Sequence, residues 1–266
     1  MKSILIVGSG VSGINATTKL VKEGYPGNFI TILDKGKDPY KRKPEEVMTG
    51  FAGAGLFSDG KWVYLHNAIG GHLAKYCGEE KADELMEESF NYVKEFHPNP
   101  SKIMFSNPIE EPDFIKPYFN LRMAPTWHVG TNYLHDMGKR WYDYLLNNGV
   151  FFLWETEVTN IDLNNQMVYT KNKNHSYDVM IYATGKSGID LTQQVINNYN
   201  LKKEPKSVQL GVRMELPQKY MQPIIDISYD FKLYQKPNDK ISLRTFCSNN
   251  FAAYVAEEET YGMKSY

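Results

Sequence analysis

The hydrophobic pattern of the first 34 residues predicts a strand, a helix and a second strand. Residues 4–7 form a short apolar run that is typical of a strand buried on both faces of a parallel sheet. Apolar residues then recur at helical intervals over residues 11–21, and Gly24 follows as a helix end. A second apolar run over residues 29–33 ends at Asp34. These elements together predict a βαβ unit.

Two longer helices are predicted further along the chain. Residues 79–96 place apolar side chains on one face and acidic residues in the first turns, where the helix dipole favours negative charge. Residues 131–147 repeat this spacing, and Gly149 follows as a helix end. Six prolines within residues 98–125 predict irregular structure between the two helices.

The second half of the chain favours strands. The strand-forming runs lie at residues 150–154, 156–162, 167–170, 176–182, 208–216, 229–234 and 241–247. A short helix is predicted at residues 191–201 and a linker at residues 202–205. Residues 35–62, in contrast, are polar and rich in glycine.

Composition narrows the class of protein. Lys+Arg (30) balances Asp+Glu (31), so no overall charge favours a nucleic acid or a membrane surface as a partner. No apolar run is long enough for a membrane span or a signal peptide. Two cysteines exclude a disulfide framework, and the six histidines lack zinc-binding spacing, so we predict no metal site. We therefore expect a cytoplasmic protein.

The glycine pattern after the first strand carries the main chemical signal, because residues 8–13 have the form G-x-G-x-x-G. The first glycine makes the tight turn, the second lets the backbone approach a pyrophosphate, and the third lets the helix lie close to the strand. The pyrophosphate then lies at the helix N-terminus. The predicted cofactor contacts here are Gly8, Gly10, Val11, Ser12 and Gly13.

An acidic residue follows 21 positions after Gly13, at the end of the second predicted strand. In this pattern such a carboxylate accepts hydrogen bonds from a ribose hydroxyl, and Asp34 would repel the 2′-phosphate of NADP. Lys35, next in the chain, is a further predicted cofactor contact. The alternative is that Asp34 is a solvated turn residue. This motif leaves both NAD and FAD open.

A second segment favours FAD. Residues 178–185 form an apolar strand that ends in Ala183-Thr184-Gly185 and follows a predicted meander at residues 156–177. This order resembles the strand that re-enters the nucleotide domain in two-dinucleotide-fold flavoproteins of the glutathione-reductase type. The resemblance implies that this Ala-Thr-Gly end contacts the cofactor and that the backbone of Val158 contacts the adenine. A buried strand with a glycine turn is the alternative.

A third segment, residues 50–61, has the sequence GFAGAGLFSDGK. It is similar to a motif of a family of uncharacterised FAD-dependent dehydrogenases. Three further segments match that family in order: HVGT at residues 128–131, GVRMELPQ at residues 211–218 and RTFC at residues 244–247. The resemblance implies that Gly55 and Ser58 lie against the cofactor.

The resemblance also implies a fold class and a division of the chain. We expect an α/β protein with a Rossmann-type FAD-binding domain, a β-meander and a second, smaller, mostly β substrate domain. The FAD-binding domain would comprise residues 1–65 and 126–204, with a helical or irregular insertion at 66–125 and the substrate domain at 205–266. The family has a glycine-rich return segment beyond these motifs, so we expect a missing C-terminal segment or a partner chain to complete the flavin site.

Four residues are candidates for catalysis: Lys61, His128, Arg213 and Cys247. Lys61 could stabilise negative charge on reduced flavin, or be a solvated surface lysine. His128 could donate a proton, or bond a nearby backbone carbonyl. Arg213 could bind an acidic substrate with Glu215, or the two could pair with each other. Cys247 could react with substrate or flavin, or be an inert buried thiol.

The sequence therefore predicts an FAD-dependent oxidoreductase, a dehydrogenase or reductase that acts on a small organic substrate. A single G-x-G-x-x-G pattern gives no second domain for NAD(P)H, and the lack of a cysteine pair disfavours a disulfide reductase. Two alternatives remain, a NAD-dependent dehydrogenase and a non-catalytic FAD-binding scaffold or sensor.

Overall fold

The computed structural model describes ten stretches of the chain, and all structural statements below refer to them. They are residues 1–63, 73–107, 110–123, 125–204, 210–212, 214–228, 231–238, 241–246, 258–260 and 263–265. The helices in chain order are α1 (Val11–Lys22), α2 (Leu73–Cys77), α3 (Glu79–Phe96), α4 (Leu134–Asn147), α5 (Ile189–Asn198) and α6 (Gln218–Ile225).

The strands are short, and most have three to five residues. In chain order they are β1 (Ile4–Val7), β2 (Ile30–Leu33), β3 (Lys61–Val63), β4 (Met104–Ser106), β5 (Asn120–Met123), β6 (Thr126–His128), β7 (Phe151–Leu153), β8 (Val158–Asp162), β9 (Met167–Thr170), β10 (Asn174–Ser176), β11 (Val179–Tyr182), β12 (Phe231–Asn238), β13 (Ile241–Arg244), β14 (Glu258–Thr260) and β15 (Met263–Ser265).

A parallel sheet of four strands in the order β11-β1-β2-β7 forms the centre of a mixed α/β fold. In its register Ile4 lies opposite both Val179 and Ile30, so β1 has a partner on each side. All four residues of β1 are buried, as its continuous apolar sequence predicts. The βαβ unit predicted for the first 34 residues is confirmed, with α1 connecting β1 to β2.

Three helices cover one face of this sheet. The main core cluster combines residues of β1 and β2 with residues of α1, α3 and α4. Phe96 of α3 stacks on Trp141 of α4 with ring centroids 5.0 Å apart, and the Trp141 indole donates to Thr18 of α1 at 2.7 Å. The predicted bounds of α3 are confirmed, and α4 begins three residues later than predicted because residues 131–133 form a 3₁₀ turn.

The predicted β-meander is present as the antiparallel sheet β10-β9-β8. Val158, Ile161 and Val168 of the meander form a second core cluster with side chains of β1 and β2, including Leu5. The predicted strand at residues 176–182 is wrong as a single element. It is divided into β10 and β11 at Asp178, whose carboxylate accepts hydrogen bonds from the backbone and hydroxyl of Ser3.

Several elements outside the parallel sheet differ from the prediction. Residues 98–125, predicted as irregular, contain β4 and β5, and β4 joins β3 and β6 in the sheet β3-β6-β4. Strands of three or four residues are too short for an alternating pattern to be visible. The described part of the predicted strand at 208–216 has no strand, and the unpredicted helix α6 follows it with Pro223 inside.

A third antiparallel sheet, β13-β12-β5, connects residues 120–123 with residues 231–244. One predicted insertion segment and the predicted substrate domain thus contribute strands to the same sheet. The division of the chain into domains stays a proposal.

Candidate functional site

The glycine turn after β1 is closed by tight backbone contacts. Gly8 has φ +102°, and a Cβ atom there would lie 2.4 Å from the carbonyl oxygen of Ala183. A Cβ atom at Gly13 would lie 2.0 Å from the carbonyl oxygen of Gly8, so only glycine allows α1 to approach the turn this closely. The tight-turn and close-packing tasks predicted for these two glycines agree with this geometry.

The position of Gly10 is open instead of crowded. A Cβ atom there would have no heavy atom of the described residues within 4 Å. Gly10 is the N-cap of α1, and within the described residues no side chain caps this helix and no acid lies in its first turn. The first-turn N–H groups, from Val11 and the exposed Ser12 onward, therefore have neither a capping side chain nor a first-turn acid among the described residues. Such a helix end fits a pyrophosphate.

Asp34 has a different environment from the one its sequence position predicts. The residue is 9% exposed, and its carboxylate accepts four hydrogen bonds. The donors are the N–H of Ser9 at 2.8 Å, the hydroxyl of Ser9 at 2.7 Å, and the N–H groups of Gly36 and Gly50, both at 2.8 Å. Asp34 is therefore not a solvated turn residue, because it joins the glycine turn, the end of β2 and the second glycine segment. Its contact with a ribose stays a prediction.

The second glycine segment, residues 50–55, packs against the start of α1. Ala52 forms a parallel bridge with Gly10, and its N–H donates to the carbonyl of Ser9 at 2.8 Å. A Cβ atom at Gly55 would lie 2.7 Å from Cγ2 of Val11, and one at Gly53 would lie 3.4 Å from Cα of Gly10. The sequence motif at residues 50–61 thus lies beside the candidate pyrophosphate site.

Arg42 holds this glycine segment in place, and no motif in the sequence indicates this role. The side chain is buried, and its guanidinium donates to the backbone carbonyls of Phe51, Gly53 (2.8 Å), Glu46 (2.6 Å) and Val47 (3.0 Å). The fork of donors on arginine suits several carbonyls at once. Arg42 is a residue that motif analysis missed and that shapes one wall of the site.

The Ala-Thr-Gly end of β11 lies beside the glycine turn. The N–H of Ala183 donates to the carbonyl of Val7 at 2.8 Å, and the Cα of Thr184 would be 3.2 Å from a Cβ atom at Gly8. Gly185 is exposed and has φ +58°. Lys35 donates to the carbonyl of Ser187 at 2.9 Å, so it connects the end of β2 to the segment after β11. The structure therefore brings the predicted cofactor contacts Lys35, Ala183 and Thr184 to the same edge of the parallel sheet as Gly8.

Val158 begins the meander near the same edge of the parallel sheet. Two residues earlier, the N–H of Thr156 donates to the carbonyl of Asp34 at 2.8 Å. The side chain of Val158 is buried against β1 and β2. Its predicted backbone contact with an adenine stays a proposal.

Two catalytic candidates meet across a pair of strands. In the antiparallel register of β3 and β6, Lys61 lies directly opposite His128, so both side chains are on the same face. The Lys61 ammonium lies 3.2 Å from the carboxylate of Asp59, and its side chain is only 7% exposed. The surface-lysine alternative for Lys61 is therefore wrong. Ser58 accepts from the N–H of Gly60 at 3.2 Å, which fixes the turn before β3.

Burial sets the charge state of His128. Desolvation is the largest cause that lowers its pKa from 6.5; a hydrogen bond and the charge of Asp59 oppose it, and Lys61 lowers it further. Because the net direction is downward, the imidazole is neutral at pH 7. The loops that carry the two residues also touch, since the N–H of Val129 donates to the carbonyl of Gly60 at 2.9 Å.

Two other catalytic candidates, Arg213 and Cys247, lie outside the described residues, so their roles stay predictions. Glu215, the predicted neighbour of Arg213, is exposed. The described part of the chain contains no group of three His, Cys, Asp or Glu residues able to hold a metal ion. None of its helices combines the length and apolar character needed to cross a membrane.

The sequence matches no protein-family model and no curated protein. Solved structures do show a likeness. Glycine oxidase from Geobacillus kaustophilus is 14% identical with a TM-score of 0.45, and the match covers 73% of this chain and 58% of that one. The 3-ketosteroid-Δ4-(5α)-dehydrogenase from Rhodococcus jostii RHA1 is 15% identical with a TM-score of 0.44, and the match covers 74% of this chain and 48% of that one. L-amino acid deaminase from Proteus vulgaris is 12% identical with a TM-score of 0.43, and the match covers 76% of this chain and 50% of that one.

This chain spans about half the length of these three proteins. Their TM-scores lie below 0.5, so the likenesses decide neither the family nor the function of this chain. The resemblance to the uncharacterised dehydrogenases stays a prediction.

Proposed function

We propose that this chain binds FAD and acts as an FAD-dependent oxidoreductase on a small organic substrate. The observation that carries the proposal is the convergence of three backbone segments at the uncapped N-terminus of α1. These segments are the turn at Gly8, the glycine segment at residues 50–55 and the end of β11 at Ala183. A dinucleotide needs this kind of cradle, in which backbone atoms approach without side chains.

The residues at the cradle fit the ADP half of FAD. The N–H groups of the first turn of α1 would bind the pyrophosphate, and the open position at Gly10 would let it approach. Asp34 would hold the turn in shape through its four hydrogen bonds. Lys35 and the backbone near Val158 are the proposed contacts on the ribose and adenine side.

Bound FAD would supply a ring that accepts and releases a hydride or electrons. On the protein side, His128 is neutral at pH 7 and would hold or accept a proton at an imidazole nitrogen. Lys61 would supply positive charge on the same face of the strand pair. Asp59 would fix the position of this ammonium through their ion pair.

Identification of the cofactor tests this proposal. We expect purified protein to be yellow, with a flavin absorption spectrum, and to release FAD that mass spectrometry identifies after denaturation. Release of NAD, or the lack of any nucleotide before and after incubation with FAD, would contradict it.

Redox turnover separates an enzyme from a scaffold. We expect the photoreduced protein to be reoxidised faster by an organic acceptor than free photoreduced FAD is. Reoxidation at the rate of free flavin with every acceptor tried would favour the non-catalytic alternative.

A further inference from the structure

The sheet β13-β12-β5 has two different faces. Register places Phe231 opposite Met123 and Leu233 opposite Leu121, so these apolar side chains share one face. They form a small core cluster with Ile224 of α6 and other apolar neighbours. This face of the sheet is therefore covered by the chain itself.

The opposite face carries positive charge. Register places Lys232 opposite Arg122, and it places Tyr234 opposite Asn120 on one side and Arg244 on the other. Like charges directly opposite each other destabilise a strand pair. The sequences of the three strands contain no aspartate or glutamate. Lys232 is buried, and both Lys232 and Arg244 interact with other groups of the chain.

A cavity of about 330 Å³ opens on this cationic face. Its walls include Lys116, Tyr118, Asn120, Tyr234, Lys236 and Ser242, and none of the described residues that line it is acidic. Lys236 makes no ion pair with any residue that the structure describes. Lys116 does have a partner, since its ammonium lies 2.9 Å from Asp113, whose side chain is almost fully exposed. The guanidinium of Arg122 lies 5.8 Å from the centroid of the Tyr234 ring in the cavity wall.

We propose that this cavity binds a small aromatic anion, either a carboxylate or a phosphate ester. The ammonium of Lys236 would pair with the anionic group, and Asn120 and Ser242 would donate hydrogen bonds to it. The rings of Tyr118 and Tyr234 offer flat surfaces for an aromatic ring.

Size and charge favour a small ligand over a nucleic acid. The cavity volume is in the lower part of the range for small-molecule sites. The net charge of the whole chain is −1, which gives no general attraction for a polyanion. None of the cavity residues belongs to the nucleotide cradle, so this site does not depend on the proposed flavin function.

Isothermal titration of the full chain with benzoate, phenyl phosphate and neutral benzamide tests this proposal. We expect at least one anion to bind about tenfold more tightly than benzamide, with an affinity that falls as salt concentration rises. Lys236→Gln should weaken binding of that anion by about tenfold. Lys171→Gln, which changes an exposed lysine in a meander turn, should leave it unchanged.

Three results would overturn the proposal: no binding of either anion, equal binding of anion and benzamide, or wild-type affinity in the Lys236→Gln protein. Tight binding of a single-stranded oligonucleotide in place of the small anions would also overturn it. The flavin content of the same samples is measured separately, so failure of one proposal does not imply failure of the other.

Discussion

At the scale of single residues, the carboxylate of Asp34 connects three stretches of backbone that lie far apart in the sequence. Its four bonded donors belong to Ser9, Gly36 and Gly50. An ionised carboxylate has about four acceptor positions, so the protein alone can occupy all of them. A ribose hydroxyl would have to replace one of these donors. The motif predicts the position of the acid correctly and misses its structural task.

The structural task of Asp34 can be measured as stability. Asp34→Ala would leave four buried or partly buried donors without an acceptor, so we expect the free energy of unfolding to fall by about 3 kcal/mol or more. Asp162→Ala is a matched control, because Asp162 also accepts from backbone N–H groups but in an exposed turn where water can replace it. Urea unfolding of both variants is the measurement, and equal losses would contradict a buried structural role for Asp34.

The buried imidazole of His128 predicts a pH dependence of stability. Its pKa is lowered in the folded protein, chiefly by burial, so the unfolded chain binds the proton more readily. Acidification from pH 7.5 to pH 5.5 therefore destabilises the fold. We expect His128→Gln to lose less stability over this interval than the wild type. His135 and His175, whose pKa values are also lowered by burial, contribute to both proteins alike. An identical pH effect in the two proteins would show that His128 is not the titrating group.

At the scale of elements, the contact between β1 and α1 depends on the absence of one methyl group. A Cβ atom at Gly13 would overlap the carbonyl oxygen of Gly8, whereas one at Gly10 would meet nothing. We expect Gly13→Ala to lower the free energy of unfolding by about 2 kcal/mol, since overpacking outweighs the helix preference of alanine. Gly10→Ala should change it by less than about 0.5 kcal/mol. Denaturant unfolding compares the pair, and a neutral Gly13→Ala would mean that the helix can move away from the strand.

The glycine segment at residues 50–55 depends on a side chain from another loop. Arg42→Lys keeps the charge but loses the fork that reaches four carbonyls, so we expect this segment to open more often. Amide hydrogen exchange should become faster at residues 46–55 by about tenfold or more, while exchange in the meander stays unchanged. Uniformly faster exchange would indicate global destabilisation instead.

At the scale of the whole molecule, regular periodicity marks the parts of the fold that could be predicted. The helical spacing of α1 and α3 shows in the sequence, and the strands of the βαβ unit and the meander show as apolar or strand-forming runs between polar turns. The sheet β3-β6-β4 and the sheet β13-β12-β5 could not be predicted, because their pairings join short runs distant in sequence. Helix α6 was missed because it contains Pro223 and follows an alternating apolar run.

The candidate site also has parts that the sequence predicts and parts that it does not. Glycine spacing predicts the glycine turn because local backbone geometry requires a glycine at Gly8 and at Gly13. The pairing of Lys61 opposite His128 depends on strands that are more than 60 residues apart in the sequence, which no local pattern contains. Arg42 donates to backbone carbonyls, and because every residue has a carbonyl, the residue types in the sequence do not indicate these partners.

The central claim is that the open position at Gly10 accommodates the pyrophosphate of FAD. Titration of the flavin-free protein with FAD, followed by flavin fluorescence, tests it most directly. Gly211→Val is the matched control, because a side chain there also meets no atom of the described residues within 4 Å but lies outside the cradle. We predict that Gly10→Val weakens FAD binding by about a hundredfold or more while Gly211→Val binds as the wild type does. A folded Gly10→Val protein that binds FAD with wild-type affinity would contradict the account.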